Sequence, residues 1–236
     1  MTVLLVLFTL ILFLIFDHFV QRYRTRPVLS VGERNVRASV PMQFPIHVPE
    51  GVSLATNHTW MRRNDDGTVT IGFDEFLSRL MGLVEKISLP RAGEVVQPNF
   101  ADVAVKAQTR TLRLAPPVIG NVVVTNEDVL RSPSLILSDP YGKGWLLRVS
   151  SGAYALEESR QFIVNRPAEW LREQAALVRD FIVMNSQQGQ MATLQEGGLP
   201  INGVLHQFDE SVWKDFSRSF VTLHRAKETE SREIES

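Results

Sequence analysis

No cysteine occurs among the 236 residues. Disulfides, thiolate nucleophiles, iron–sulfur clusters and thiolate zinc sites are thereby excluded together. Charge of one sign is also missing. Lys and Arg number 25 against 26 Asp and Glu, for a formal net charge of -1. With no dense basic patch after residue 37, nothing steers the whole molecule toward nucleic acid. The five histidines, His18, His47, His58, His206 and His224, have no metal-ligand spacing. Gly197-Gly198 is followed by neither a P-loop lysine nor a Gly-x-Gly-x-x-Gly pattern, and Gly-x-Ser-x-Gly is absent. The acid pairs Glu157-Glu158 and Asp209-Glu210 are adjacent, so neither pair faces one substrate from a single helix or strand surface. No active site is visible, no metal is expected, and the chain reads as a non-enzyme.

What is present first is a long apolar run. Thr2–Phe16 is almost unbroken Leu, Val, Phe and Ile, extended by Phe19 and Val20 past Asp17 and His18. As a helix, Thr2–Val20 comes close to the ~30 Å hydrocarbon thickness of a bilayer. A cleaved signal peptide is the rival reading. No Lys or Arg precedes the run, however, and no small-x-small cleavage site follows it. Arg22, Arg24, Arg26, Arg34 and Arg37 come after it, so the positive-inside asymmetry predicts a retained single-pass anchor with the following domain in the cytoplasm. The expected location is the inner (cytoplasmic) membrane. Residues 1–21 are thus predicted to be the anchor, and 22–53 a linker punctuated by Pro27, Pro41, Pro45 and Pro49.

From Leu54 to Ser150 short strand patterns alternate with turn signals. Trp60–Arg63 and Thr68–Gly72 flank Asn64-Asp65-Asp66-Gly67, which predicts a hairpin. Asp74 is placed to cap a helix over Glu75–Leu83 whose Phe76, Leu77, Leu80 and Met81 form one face. Val84–Leu89 and Glu94–Val96 read as further strands. Val103 and Val105, then Leu112 and Leu114, alternate on either side of a tight turn near Thr109-Arg110. Asn57-His58-Thr59 matches a glycosylation tripeptide, read here as a chance occurrence.

His58-Thr59-Trp60, Asp66–Gly72, Leu89-Pro90…Gly93, Pro117–Val123, Asn126-Glu127 and Asp139–Leu146 together resemble the H-protein of the glycine cleavage system, the lipoyl carrier of that pathway. The resemblance runs in order through nearly all of residues 54–150. It implies a mainly β (α+β) fold, a lipoyl/biotinyl-type barrel-sandwich hybrid. Much of the shared pattern is scaffold. Glycines and prolines serve turns, and Trp60 and Trp145 are expected to pack on the core.

The functional motif departs from the family. There, a lipoylated lysine in a Glu-Ser-Val-Lys-Ala-type sequence lies eight residues before the proline of a Pro-x-x-Gly corner. Counting back from Pro117 reaches Thr109, whose hydroxyl forms no lipoamide. Lys106 stands in a superficially similar Val105-Lys106-Ala107. Moving it to the tip needs a three-residue shift, and an odd shift would take Val103 and Val105 out of the core. In the gapless register Lys106 is a solvated strand lysine and the weaker candidate for lipoylation. No cofactor is expected. The tip residues Gln108, Thr109 and Arg110, with Arg113 beyond, form a polar, mildly basic surface suited to a partner protein or an anionic headgroup.

Residues 151–236 read as a helical extension with a charged tail. Helices are predicted at Glu157–Arg160, at Pro167–Asn185 (with Trp170, Leu171, Leu177, Val178, Phe181 and Ile182 on one face), and at Glu210–His224 behind an Asp209 cap. In the last, Val212, Trp213, Phe216, Phe220 and Leu223 form an apolar stripe. Gln190–Leu205 reads as hairpin-like, turning at Gly197-Gly198. The expectation is a membrane-anchored, unlipoylated H-protein-like domain that acts as a non-catalytic interaction or scaffold subunit with partner proteins. A carrier lipoylated at Lys106 and a membrane-fusion-type transport adaptor are the rivals. The adaptor architecture splits its lipoyl half-motifs around a long α-hairpin, which the tight turn here does not allow.

Overall fold

The computed structural model describes residues 47–98, 100–185 and 203–226. The predicted span Thr2–Val20, the linker as far as residue 46, the Gly197-Gly198 turn and the tail Lys227–Ser236 lie outside the described residues. Among the described residues no helix is long and apolar enough to cross a membrane.

Among the described residues, nine strands form two antiparallel sheets. The larger runs β1 (Ser53–Leu54), β2 (Thr59–Arg63), β3 (Thr68–Phe73), β9 (Leu147–Ser150), β8 (Gly120–Thr125), β5 (Val95–Val96). The smaller runs β4 (Lys86–Ser88), β6 (Val103–Ala107), β7 (Arg110–Leu114). The Asp66-Gly67 turn joins β2 to β3 as predicted, with Gly67 at φ 80°. Pairing across this hairpin puts Trp60 opposite Gly72. The absent side chain at Gly72 makes room for the indole: a Cβ there would stand 2.6 Å from the Trp60 ring. Trp60 is fully buried, and its Nε1 donates to the carbonyls of Phe73 and Pro140 at 3.2 Å each. Asn57 is also fully buried and donates to the Ala115 carbonyl at 2.9 Å. The glycosylation tripeptide is therefore packed rather than displayed.

Helix α1 (Glu75–Met81) starts where predicted, with the Asp74 side chain accepting from the Leu77 N–H. It stops at Gly82 rather than Leu83, because Gly82 takes φ 68° and its N–H closes onto the Ser78 and Arg79 carbonyls. Two short helices, α2 (Glu127–Arg131) and α3 (Leu135–Ser138), precede β9. Then come α4 (Ala153–Ser159), a 3-10 turn at Arg160–Phe162, and the long α5 (Pro167–Asn185).

The C-terminal helices share the hydrophobic core of the sheets. On α5 the buried residues are Leu171, Ala175, Val178 and Ile182, an i, i+4, i+7, i+11 stripe. Leu177, expected on that face, is more than half exposed, because its angle around the helix points it away. Residues 203–226 depart further from expectation. Val204 and Leu205 lie in a 3-10 turn (Val204–Gln207), not a strand. The final helix, predicted to reach His224, is α6 (Glu210–Phe216), continued as a π-turn over Ser217–Val221. In this wider turn the adjacent Phe220 and Val221 are both buried. Leu223 falls beyond the helix end.

Candidate functional site

The site is the β6–β7 hairpin. Its register pairs Val103 with Leu114, Val105 with Leu112, Lys106 with Thr111 and Ala107 with Arg110. Val103, Val105, Ala107, Leu112 and Leu114 are buried, so the period-two alternation fixes which side chains face out. The two-residue turn is Gln108-Thr109, one residue earlier than the Thr109-Arg110 read from sequence, and Arg110 is already the first residue of β7. Gln108 takes φ 51°, a left-handed conformation that costs an L side chain of order 1 kcal/mol.

Gln108 and Thr109 are exposed at the tip. Lys106 is exposed as well, but it stands within the sheet. It lies between Lys86 on β4 and Thr111 on β7, three residues short of Thr109. Like charges directly opposite one another on a sheet disfavour pairing modestly. Arg113 also faces outward.

Arg110 does not. Its side chain is only 12% exposed and is engaged inside the chain. One terminal nitrogen meets the Glu210 carboxylate, the other donates to the Phe208 carbonyl, and the guanidinium lies 6.0 Å from the centre of the Trp213 ring. The expected basic tip surface is thus reduced to Gln108, Thr109 and, along β7, Arg113. Sequence reasoning missed this contact because nothing local marks Glu210 or Phe208 as the partners of a residue so far upstream. Among the described residues no cluster of metal-ligating side chains occurs.

A two-residue hairpin carried on a small antiparallel assembly of two sheets is the arrangement of a lipoyl-domain-like carrier. The family model described as glycine cleavage H-protein matches residues 52–172. The H protein of the glycine cleavage system from Pseudoalteromonas atlantica is 37% identical over 106 residues, covering 44% of this chain and 81% of that protein. The corresponding protein of Mycobacterium avium is 36% identical over 113 residues, covering 48% and 86%. A solved H protein from Mycobacterium marinum is 28% identical, with a TM-score of 0.42 and coverage of 45% and 87%. The chain belongs to the glycine cleavage H-protein family. Members of this family are carrier proteins, not enzymes; they normally carry lipoate and interact with the partner proteins of glycine cleavage.

Proposed function

We propose that this chain is a membrane-anchored member of the family whose hairpin is not lipoylated, and that it serves as a non-catalytic interaction subunit of a membrane-associated complex. The observation that carries the reading is Thr109 at the hairpin turn, with Lys106 three residues away in the paired part of the sheet beside Lys86. A hydroxyl forms no lipoamide, and a lysine flanked by two strands is not a swinging arm at a tip. Gln108, Thr109 and Arg113 offer the contact surface for a partner protein. The apolar run Thr2–Val20 and the arginines that follow it support an anchor in the inner membrane with the domain in the cytoplasm.

Intact mass of the full chain, purified from its native membrane in mild detergent, tests this. An unmodified mass with co-purifying proteins is expected, and those proteins identify the complex. A lipoyl-sized increment mapping to Lys106 overturns it and makes the chain a working carrier.

A further inference from the structure

Residues 203–226 cross the domain as a strap. At one end the Gly203 N–H donates to the Arg79 carbonyl at 3.0 Å, and the His206 ring bonds the Met81 carbonyl at 2.7 Å, so the strap begins on α1. At the other end the Ala226 N–H donates to the Gln161 carbonyl at 2.7 Å, and the His224 N–H to the Thr56 hydroxyl at 3.1 Å. Between these anchors Phe216 and Phe220 pack edge-on against Phe181 of α5 at 5.9 and 5.7 Å. Val204, Leu205, Phe208, Trp213, Phe216, Phe220 and Val221 are buried.

The strap also meets the hairpin. In the smaller sheet β7 is an edge strand, and an open edge is a pairing surface that proteins usually cover. Here the π-turn Ser217–Val221 packs beside β7, leaving an open groove of about 450 Å³ floored by Thr111 and Arg113 and walled by Ser217 and Thr222. Just below the tip, Arg110 is held by Glu210, by the Phe208 carbonyl and over the Trp213 ring. The Arg110 side chain is largely enclosed while the Glu210 carboxylate is 62% exposed, so its hold rests on the Phe208 carbonyl and the Trp213 ring as well as on the ion pair.

We propose that the strap is an intrachain cap on the carrier hairpin: it covers the β7 flank, pins the tip through Arg110, and excludes a modifying enzyme even from a lysine placed at the tip. Residue 109 is itself exposed, so the exclusion acts through the β7 flank, against which an enzyme grasping the hairpin would lie. This goes beyond the absence of lysine at Thr109, since the exposed tip then stands beside a β7 flank that is already occupied.

The test installs the missing amine. Thr109→Lys is made in the full chain, alone and together with Glu210→Ala and Trp213→Ala. Each chain is incubated in detergent with a lipoate–protein ligase, lipoate and ATP. The lipoyl carboxylate takes AMP from ATP with loss of pyrophosphate. The lysine amine then displaces AMP, forming the amide and losing a proton to solvent. Adducts are mapped by peptide mass. At least ten-fold faster modification of residue 109 in the triple variant is expected; equal rates, including no modification of either chain, overturn the proposal.

Because the triple variant could lose its fold, Glu210→Lys in the otherwise unchanged chain is followed by hydrogen exchange. It places a cation beside Arg110 while Trp213 stays. Faster exchange at amides 108–114 with unchanged protection in β2 and β3 is expected, and unchanged protection at 108–114 overturns the cap. An adduct at Lys106 in the unsubstituted chain would defeat the unlipoylated reading and the cap together, whereas failure of the rate and exchange tests with an unmodified chain would defeat the cap alone.

Discussion

Nδ1 of His58 lies 2.8 Å from Oδ2 of Asp74, and neither side chain reaches solvent. With the carboxylate accepting, Nδ1 carries the proton. The other oxygen of Asp74 accepts from the Leu77 N–H at 2.8 Å, so one carboxylate orients the imidazole and caps α1. The ring is held between Phe76 at 5.2 Å and Trp170 of α5 at 4.7 Å. His58 therefore joins the β1–β2 turn, α1 and α5, in a chain position with φ 63°.

Asp74→Ala removes a cap, worth about 1 kcal/mol, and strands a buried donor, worth roughly 1–3 kcal/mol. A loss of about 2–4 kcal/mol in urea unfolding is expected. A loss below about 0.5 kcal/mol would mean the dyad contributes nothing beyond ordinary surface substitution.

Gly72→Ala forces a methyl group against the Trp60 indole, where a Cβ has only 2.6 Å. Both residues sit in paired strands, so the backbone has little room to yield. Destabilisation of about 1–3 kcal/mol is expected. Pairing the change with Trp60→Phe, which shortens the facing ring, should recover part of it, and a double-mutant cycle measures how much.

The Tyr141 phenol is held well above its ordinary value. Burial is the main cause, the Asp74 and Glu75 carboxylates add to it, and the Glu75 backbone N–H opposes them. The folded state binds this proton more tightly than the unfolded chain. Its contribution is therefore fully present below the ordinary phenol value, about pH 10, and is lost as pH rises through the higher folded value. Thermal melts should show stability falling above about pH 10, and falling less in Tyr141→Phe. Identical slopes in the two proteins would assign the alkaline loss to other groups.

Asp209 behaves in the opposite sense. The Val212 N–H first, then the Ser211 hydroxyl, hold its carboxyl below the usual range, and Arg110 adds to this. Its contribution to the strap is present above the ordinary carboxylate value and is lost as pH falls through the lower folded value. Acidification below about pH 4 should shift the Trp213 indole NMR signal before the bulk of the domain unfolds. Asp209→Asn, which keeps a cap but has no charge to lose, should flatten that shift.

The strands of the two sheets and the start of α1 were legible because their cues are local. Asp66-Gly67 demands a turn, Val103 and Val105 against Leu112 and Leu114 spell a half-buried hairpin, and Asp74 stands before an apolar helical face. The placement of Thr109 at the tip came from counting back from Pro117 in a register without gaps. Errors fell where geometry is not written locally. Leu177 is apolar but faces out, Ala175 is small but faces in, and α6 gives way to a π-turn over Ser217–Val221 that no local cue announces.

The sequence by itself determined the family and the hairpin, since each rests on residue type and spacing along the chain. Only the tertiary structure decided what Arg110 does. Read along the chain it is an exposed tip cation. In the fold, the strap brings Phe208, Glu210 and Trp213 onto it, and no spacing rule connects residues that meet only after two sheets and a long helix have packed.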